Sequence, residues 1–517
     1  MARLTDYTLY ADAQRNYSKE ALWALFDGDR QQLNIGHECV DRHDRTAIAV
    51  RIAHEDGTDE TITFGELAST SNRFANFLLN KGLSKGDRIA IMLEPSLPFY
   101  VALFGAMKAG CIAVPLFTLF GPEGLRLRID DCTPKLLITN SDLAHLAANN
   151  DDIETVVTNN TFLTALETES DLFTPQTASS DMAMYQYTSG TTRELPEAVK
   201  HRHRAVVTVI LAALYGTGIR PSDRFMCPSS PAWGHGLWHG TISPLALGVS
   251  TASYAGKFDP VRLMQAIQDY EITNIAAAAT HFRLMKNSGA ANHFTFCVEK
   301  LSFTGEPIDS DTAAWTKATF GGDVCSMYGT TEIGVILADY PGAADHKVKP
   351  GSLGRPIPGI ELAVHDPNRQ NCPTGQIGEI MMKRRNGWFP TKDLGWIDED
   401  GYFYHGGRAD DVIISAGYTM SAVEIEDVLL KHPDVDETAV IGAPDDERGL
   451  VVKSFIVSKR PGDDSFAKEL QEFTANLLSR HEYPRRVAFV EVLPKTPAGK
   501  VNRKALRDAE QAAQPEG

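Results

Sequence analysis

The stretch FGELASTSNRFANFLLNKGLSKGDRIAIMLEPSLPFYVALFGAMKAGCIAVPL (64–116) decides the fold class. Its opening, FGELASTSNRFANFLLNKG (64–82), spaces apolar residues as one face of a helix and ends on a glycine stop. DRIAIML (87–93) reads as a short apolar strand, PFYVALFGAMKAG (98–110) as a second helix and CIAVPL (111–116) as the next strand. KLLIT (135–139) and ETVVT (154–158) repeat the strand signal. Helix–strand alternation of this kind predicts an α/β fold: a large N-terminal domain of parallel-type sheets covered by helices.

A different pattern follows GYFYHGGRADD (401–411). SAVEIEDVLLKH (421–432) and DSFAKELQEFTANLLSRH (464–481) read as helices. ETAVIGAP (437–444), VVKSFIVS (451–458) and RRVAFVEVL (485–493) read as strands. Such a run can form its own small α+β domain. The expected division is 1–409 and 410–517, with RDAEQAAQPEG (507–517) as a frayed tail.

The composition bounds the function. Of 517 residues, 50 are Lys or Arg and 67 Asp or Glu, a formal net charge of −17. That balance excludes a nucleic-acid binder that relies on global charge. Hydrophobic residues are 43% and charged residues 23%, as in a packed globular chain and unlike a disordered one. No apolar run approaches the roughly 20 residues of a membrane span. The N-terminal stretch is charged throughout and lacks the apolar core of a secretory signal. The cysteines (39, 111, 132, 227, 297, 325, 372) are scattered, with no C-x-x-C. Buried structural thiols in a reducing cytoplasm are the expectation.

Four segments carry chemistry. In MAMYQYTSGTTRELPEAVKHRH (182–203), a short strand runs into Thr188, Ser189, Gly190, Thr191 and Thr192. Small hydroxylated residues around a glycine can wrap phosphate oxygens with backbone N–H and hydroxyl groups. Alone, this is also how a solvated Ser/Thr turn looks, and it is not a Walker loop. SMYGTTEIG (326–334) offers Tyr328 to a base, Thr331 to a phosphate and Glu332 to Mg²⁺, which takes oxygen ligands. TKDLGWIDEDGYFYHGGRADD (391–411) offers Asp393 to a diol and Arg408 to a phosphate or hydroxyl. PKTPAGKVNRKAL (494–506) puts Lys500 on a Pro/Gly-rich loop.

In this order the segments resemble the adenylate-forming superfamily: acyl-CoA synthetases, peptide-synthetase adenylation domains and firefly-luciferase-like enzymes. The resemblance spans about residues 30–506. Its phosphate loop matches Thr188–Thr192 and its H-x-H matches His201 and His203. Its G-E-P matches Gly305, Glu306 and Pro307, and its Y-G-x-T-E matches Tyr328, Gly329, Thr330, Thr331 and Glu332. Its T-G-D matches Thr391, Lys392 and Asp393 with Lys in place of Gly, and its G-R-x-D-D matches Gly407 to Asp411. Its S-G-Y matches Ala416, Gly417 and Tyr418 in part, and its P-K-T-x-x-G-K matches Pro494 to Lys500. One departure stands out. Where the family has Gly-x-Pro-Lys-Gly after the hydroxyl run, this chain has Arg193, Glu194, Leu195, Pro196 and Glu197, and His201 is one residue further on. Arg193 or Lys200 could supply the missing charge.

The resemblance implies a reaction in two halves. A carboxylate attacks the α-phosphate of ATP to give an acyl-adenylate and pyrophosphate, and a thiol, usually of coenzyme A, then displaces AMP. Lys500 would bridge carboxylate and phosphate oxygens as charge builds. Glu332 and Thr191 would hold Mg²⁺ against the leaving pyrophosphate. Asp393 and Arg408 would take the ribose, Tyr328 would cover adenine, and Gly305 and Glu306 would line its other face. Asp410 falls at the hinge of a small mobile domain that swings between the half-reactions. Ala416, Gly417 and Tyr418 would then meet the pantetheine arm, and Thr419 stands where acetyl-CoA-type members have an arginine. SSPAWGHGLWHGTISPLALG (229–248) resembles the acetyl-, medium-chain- and benzoyl-CoA synthetase branches, placing Trp233, His235 and Gly236 by the acyl group. Acetyl-CoA synthetases close that pocket with a second Trp, where this chain has Gly329. The expectation is therefore an acid larger than acetate: medium-chain, branched, cyclic or aromatic. The alternatives are an adenylation enzyme serving a carrier-protein thiol or an amine, and a non-catalytic nucleotide-binding scaffold. With 17 residues after Lys500, no fused carrier domain is expected. Expected partners are the carboxylate, ATP and coenzyme A, with no nucleic acid and a homo-oligomer left open.

Overall fold

The computed structural model describes the whole chain except residues 1, 148–152, 188–197, 306–307, 331–332, 409–411, 416–417, 446–448, 479–482, 496–500 and 513–517. The decisive stretch folds as its pattern predicts. Thr63 caps the helix Phe64–Asn80 by accepting a hydrogen bond from the Glu66 amide, and Leu67, Phe74 and Leu78 on one face are buried. The strand Arg88–Met92 follows. Ser96 then caps the helix Leu97–Lys108, whose residues from Phe99 onward are buried. A helix apolar on nearly every side belongs inside a domain. Ile112–Pro115 completes the unit.

The described residues form two compact units, the larger ending at Ile360 and the smaller beginning at Glu361. The larger is a mixed α/β domain. One of its sheets runs in the order Glu154–Val157, Leu136–Thr139, Arg88–Met92, Ile112–Pro115, Met182–Gln186, Val199–Arg202; all neighbours are parallel but the last pair. In a second sheet the parallel strands Thr251–Ala255, Phe225–Met226, Asn274–Ala278, Lys300–Thr304 and Val324–Thr330 lie side by side. Helices Pro260–Asp269 and Ala279–Ser288 cross between strands of this sheet and bury Leu263, Ile267, Phe282 and Met285.

The strand starts are tied together by one carboxylate. Asp223, nearly buried, accepts hydrogen bonds from Lys300 Nζ at 2.8 Å and from Asn274 Nδ2 at 3.1 Å. Asp223 itself leads into the strand Phe225–Met226, so the first residues of three adjacent parallel strands share it.

The smaller unit holds an antiparallel set, Leu362–His365, Gly378–Arg384, Gly387–Ile397 and Phe403–Arg408. It also holds the three-stranded sheet Val435–Asp445, Gly449–Ser458 and Arg486–Phe489 with helices Ala422–Leu429 and Asp464–Leu477. The strands and helices expected after residue 420 are all present.

Two expectations are corrected. Residues 507–512 are not a frayed tail: the helix Arg503–Ala512 includes them, because Leu506 is buried and Glu510 pairs with Lys453. The thiols are all free, but Cys297 is exposed and Cys372 only half-buried. No helix among the described residues is long and apolar enough to cross a membrane.

Asp223→Ala leaves Lys300 without its buried partner. It is expected to cost about 3 kcal/mol or more of stability, measured by urea denaturation; an unchanged midpoint would show that the carboxylate does not hold the strand starts.

Candidate active site

In parallel sheets, functional loops gather at the carboxyl ends of the strands. Three adjacent strands supply them here. Phe225–Met226 leads to Cys227, Ser229, Trp233 and His235; Asn274–Ala278 leads to His281; Lys300–Thr304 leads to Gly305. The topology thereby brings together residues some 80 positions apart in the chain.

Gly234 precedes a π-helical segment, His235–Ile242, that presents His235, Trp238 and His239. Such wide turns recur at functional sites. His235 is 5% exposed, and its Nδ1 lies 2.9 Å from Ser229 Oγ. Burial holds its pKa well below that of a free histidine, with His239 and His281 adding to the effect; burial likewise pushes His239 and His201 down to about 4. These imidazoles are neutral at pH 7. Trp233 is half-buried and stands edge-on to His235, ring centres 6.0 Å apart. Its far edge faces Gly305, where a Cβ would come within 3.3 Å of the indole; Gly305 also has φ +92°, a conformation glycine adopts without cost. Trp233, His235 and Gly305 are thus brought together. Gly236 has a packing role, since a Cβ there would stand 2.2 Å from the Ser229 carbonyl oxygen.

The other sheet reaches the same place through Gln186, which accepts a hydrogen bond from Trp238 Nε1 at 2.9 Å. His201 packs edge-on to the same indole at 4.8 Å. Gln186 ends the strand that enters the phosphate-loop segment. The two flanks of that segment converge on one carboxylate: Asp131 Oδ2 accepts from the Tyr187 hydroxyl at 2.6 Å and from the Ala198 amide at 3.2 Å. Thr188, Ser189, Gly190, Thr191 and Thr192 themselves lie outside the described residues, as do Glu306, Pro307, Thr331, Glu332, Asp410, Ala416, Gly417 and Lys500.

Tyr328 and Gly329 sit on the strand Val324–Thr330, which pairs antiparallel with Gly334–Ala338; of Thr330 only the backbone is described. A Cβ on Gly329 would stand 2.0 Å from the Gly334 carbonyl oxygen, so backbone fills the space that a side chain would enter. The room expected from a missing indole is therefore not at Gly329 itself.

In the smaller unit Asp393 and Arg408 are opposite each other on paired antiparallel strands. Asp393 is 3% exposed, with His405 Nε2 at 3.6 Å from its carboxylate. The Thr391 hydroxyl donates to the Ile380 carbonyl at 2.8 Å and accepts from the Asp393 amide at 3.2 Å. Between them Lys392 takes φ +65°, a left-handed conformation that explains the glycine of the resembling motif. Tyr418 is placed by its backbone alone, at the end of the hairpin Val412–Ser415 and Tyr418–Ser421.

Sequence reasoning missed Asp131, Gln186, Trp238, His239 and His281. The His235–His239 spacing of four was a usable signal, because it puts two imidazoles on one side of a helical turn.

Comparisons with known proteins bear on the family and the fold. The family model described as AMP-binding enzyme matches residues 37–388, and that of the AMP-binding enzyme C-terminal domain matches residues 424–500. The chain is 28% identical to the acetyl-coenzyme A synthetase of Bacillus subtilis, covering 96% of this chain and 94% of that protein. It is 30% identical to the mitochondrial acyl-coenzyme A synthetase ACSM3 of Mus musculus, covering 88% and 86%. Among solved structures, the acyl-CoA synthetase of Brucella canis is similar with a TM-score of 0.76 and 30% identity, over 98% of this chain and all of that one.

Replacing Lys392 by glycine relieves the left-handed conformation. Lys392→Gly is expected to raise stability by about 1 kcal/mol and Lys392→Val to lower it, read as opposite shifts in the urea midpoint; equal midpoints would show no strain at this turn.

Proposed function

This chain belongs to the AMP-binding enzyme family, and on that premise we propose that it is an AMP-forming acyl-CoA ligase acting on a carboxylic acid larger than acetate. The observation that carries the reading is the set of loops after three adjacent parallel strands, which brings Trp233, His235 and Gly305 together beside the strand that enters the phosphate loop.

In the first half-reaction a substrate carboxylate oxygen bonds to the α-phosphorus of ATP and pyrophosphate leaves. Thr188, Ser189, Gly190, Thr191 and Thr192 hold the phosphates, with the loop's two flanks anchored on Asp131. Tyr328 covers adenine, Gly305, Glu306 and Pro307 line the same nucleotide, and Asp393 with Arg408 takes the ribose hydroxyls. Lys500 offsets the negative charge that gathers between carboxylate and α-phosphate. Glu332 and Thr191 are hard oxygen donors of the kind Mg²⁺ takes, and the ion supplies charge neutralisation at the pyrophosphate. In the second half the coenzyme A sulfur bonds to the acyl carbon and AMP leaves. Gly417 and Tyr418, with Ala416, serve the pantetheine arm, and Asp410 serves as the hinge of the domain 410–517. The half-buried indole of Trp233 beside Gly305 supports an acid beyond two carbons. Free thiols support a reducing, cytoplasmic location.

A panel from acetate to decanoate with benzoate and cyclic acids tests the reading. AMP release that needs coenzyme A and peaks above two carbons is the expected result. Pyrophosphate without coenzyme A dependence would transfer the proposal to a carrier-protein or amine acceptor. Lys500→Ala is expected to slow ATP–pyrophosphate exchange by about 100-fold or more. Asp131→Ala, which frees both flanks of the phosphate loop, is expected to raise KM for ATP several-fold with a smaller effect on kcat. Unchanged exchange in the first variant would remove Lys500 from the chemistry.

A further inference from the structure

The three imidazoles near Trp233 exceed what the reaction above needs. His235 is 95% buried by the measure of its 5% exposure, and its Nε2 has no hydrogen-bond partner among the described residues. His239 lies one turn further on, ring centres 6.0 Å from His235, and its buried Nδ1 has none either. His281 lies in the first turn of the helix Ala279–Ser288, which follows the neighbouring strand, and packs edge-on to Phe258 at 4.9 Å. Trp233, His239 and His281 are half-buried, whereas His235 is buried.

A buried nitrogen without a partner costs free energy that a ligand's polar group recovers. An alkyl chain entering here would leave two such nitrogens unpaired. A hydroxyl is donor and acceptor at once and so suits either imidazole tautomer, whereas a keto oxygen accepts from an N–H. A second carboxylate fits poorly. The imidazoles are neutral, and among the described residues they cannot make up a metal site, so an anion would be desolvated without a cation.

We propose that His235 and His239, with His281 beside them, make this a hydrogen-bonding acyl pocket, and that the preferred acid carries an uncharged polar substituent, a hydroxyl or keto group, beyond its carboxylate. This rests on the acyl-pocket reading above.

The test uses matched acids: hexanoate with its hydroxy and keto analogues, benzoate with hydroxybenzoates, and adipate as the dicarboxylate. Affinity is measured by calorimetry and turnover by coenzyme A-dependent AMP release. The polar acids are expected to bind about tenfold more tightly than their apolar counterparts, because a site built to hydrogen-bond a group rejects the analogue lacking it. His239→Leu is expected to abolish that ratio by weakening the polar acids more than hexanoate. His239→Gln, which retains a donor and an acceptor, is expected to keep part of it. Equal or tighter binding of the apolar acids by the unmodified protein overturns the proposal, as does a ratio unchanged in His239→Leu, or adipate as the best acid. Binding that favours the polar acids with no AMP formed would sustain the pocket and overturn the ligase reading.

Discussion

The arrangement of the larger unit depends on Asp223. Its carboxylate is shared by the residues that begin three adjacent strands, through Lys300, Asn274 and its own position ahead of Phe225. In parallel pairs the hydrogen bonds run evenly along the strands, so register has to be set by something besides a tight hairpin. A charge-assisted contact at the amino ends does that here. At the opposite ends, the segments carrying Trp233 and His235, His281 and Gly305 each follow one of these three strands. A slip in any one strand would separate the indole from the glycine it faces. The Asp223 contact and the candidate site residues lie at opposite ends of the same strands.

The second sheet is coupled to this arrangement by polar contacts at its own exit. Gln186 is 1% exposed and holds the Trp238 indole, while Tyr187, the next residue, reaches Asp131. Gln186 thus holds the indole, and Tyr187 holds the carboxylate that also accepts from the Ala198 amide. Burial raises the pKa of Tyr187, and its hydroxyl stays protonated as the donor to Asp131. The two side chains just before residues 188–197 are thus each fixed by a hydrogen bond.

Most of the fold was legible because it is written in local periodicity. The helices at 64–80 and 97–108 and the strand between them follow from apolar spacing. The motif segments were legible as chemistry once their order was considered. What escaped was long-range. Asp223 meets Lys300 across 77 residues of chain, and no local pattern marks that pairing. The helix at 503–512 looks polar by composition and is kept in place by Leu506 and by Glu510 with Lys453. His281 gained meaning only when its strand lay beside that of Met226. Gly329 was read as missing volume, yet the space belongs to the facing strand of its hairpin. A sequence shows which side chain is lacking and is silent about what occupies the gap.

Three motif glycines are replaced in this chain, by Arg193, Glu197 and Lys392, and only Lys392 falls where the backbone is described. At position 392 the backbone keeps the left-handed shape that a glycine adopts freely, although a lysine there is strained by about 1 kcal/mol. The shape is held because Thr391 bonds both the Ile380 carbonyl and the Asp393 amide, fixing the residues on either side. A strained conformation persists where its surroundings over-determine it, and such places cluster at functional sites. If Asp393 had no partner to meet, nothing would favour this turn over a relaxed one. The loss of a glycine from a motif is therefore poor evidence that the motif has lapsed. The same reasoning bears on residues 193–197, where the family's glycines and lysine are replaced: their flanks at Tyr187 and Ala198 still converge on Asp131. A scaffold relieved of catalysis would have no reason to retain either constraint, which favours the enzyme over the non-catalytic reading.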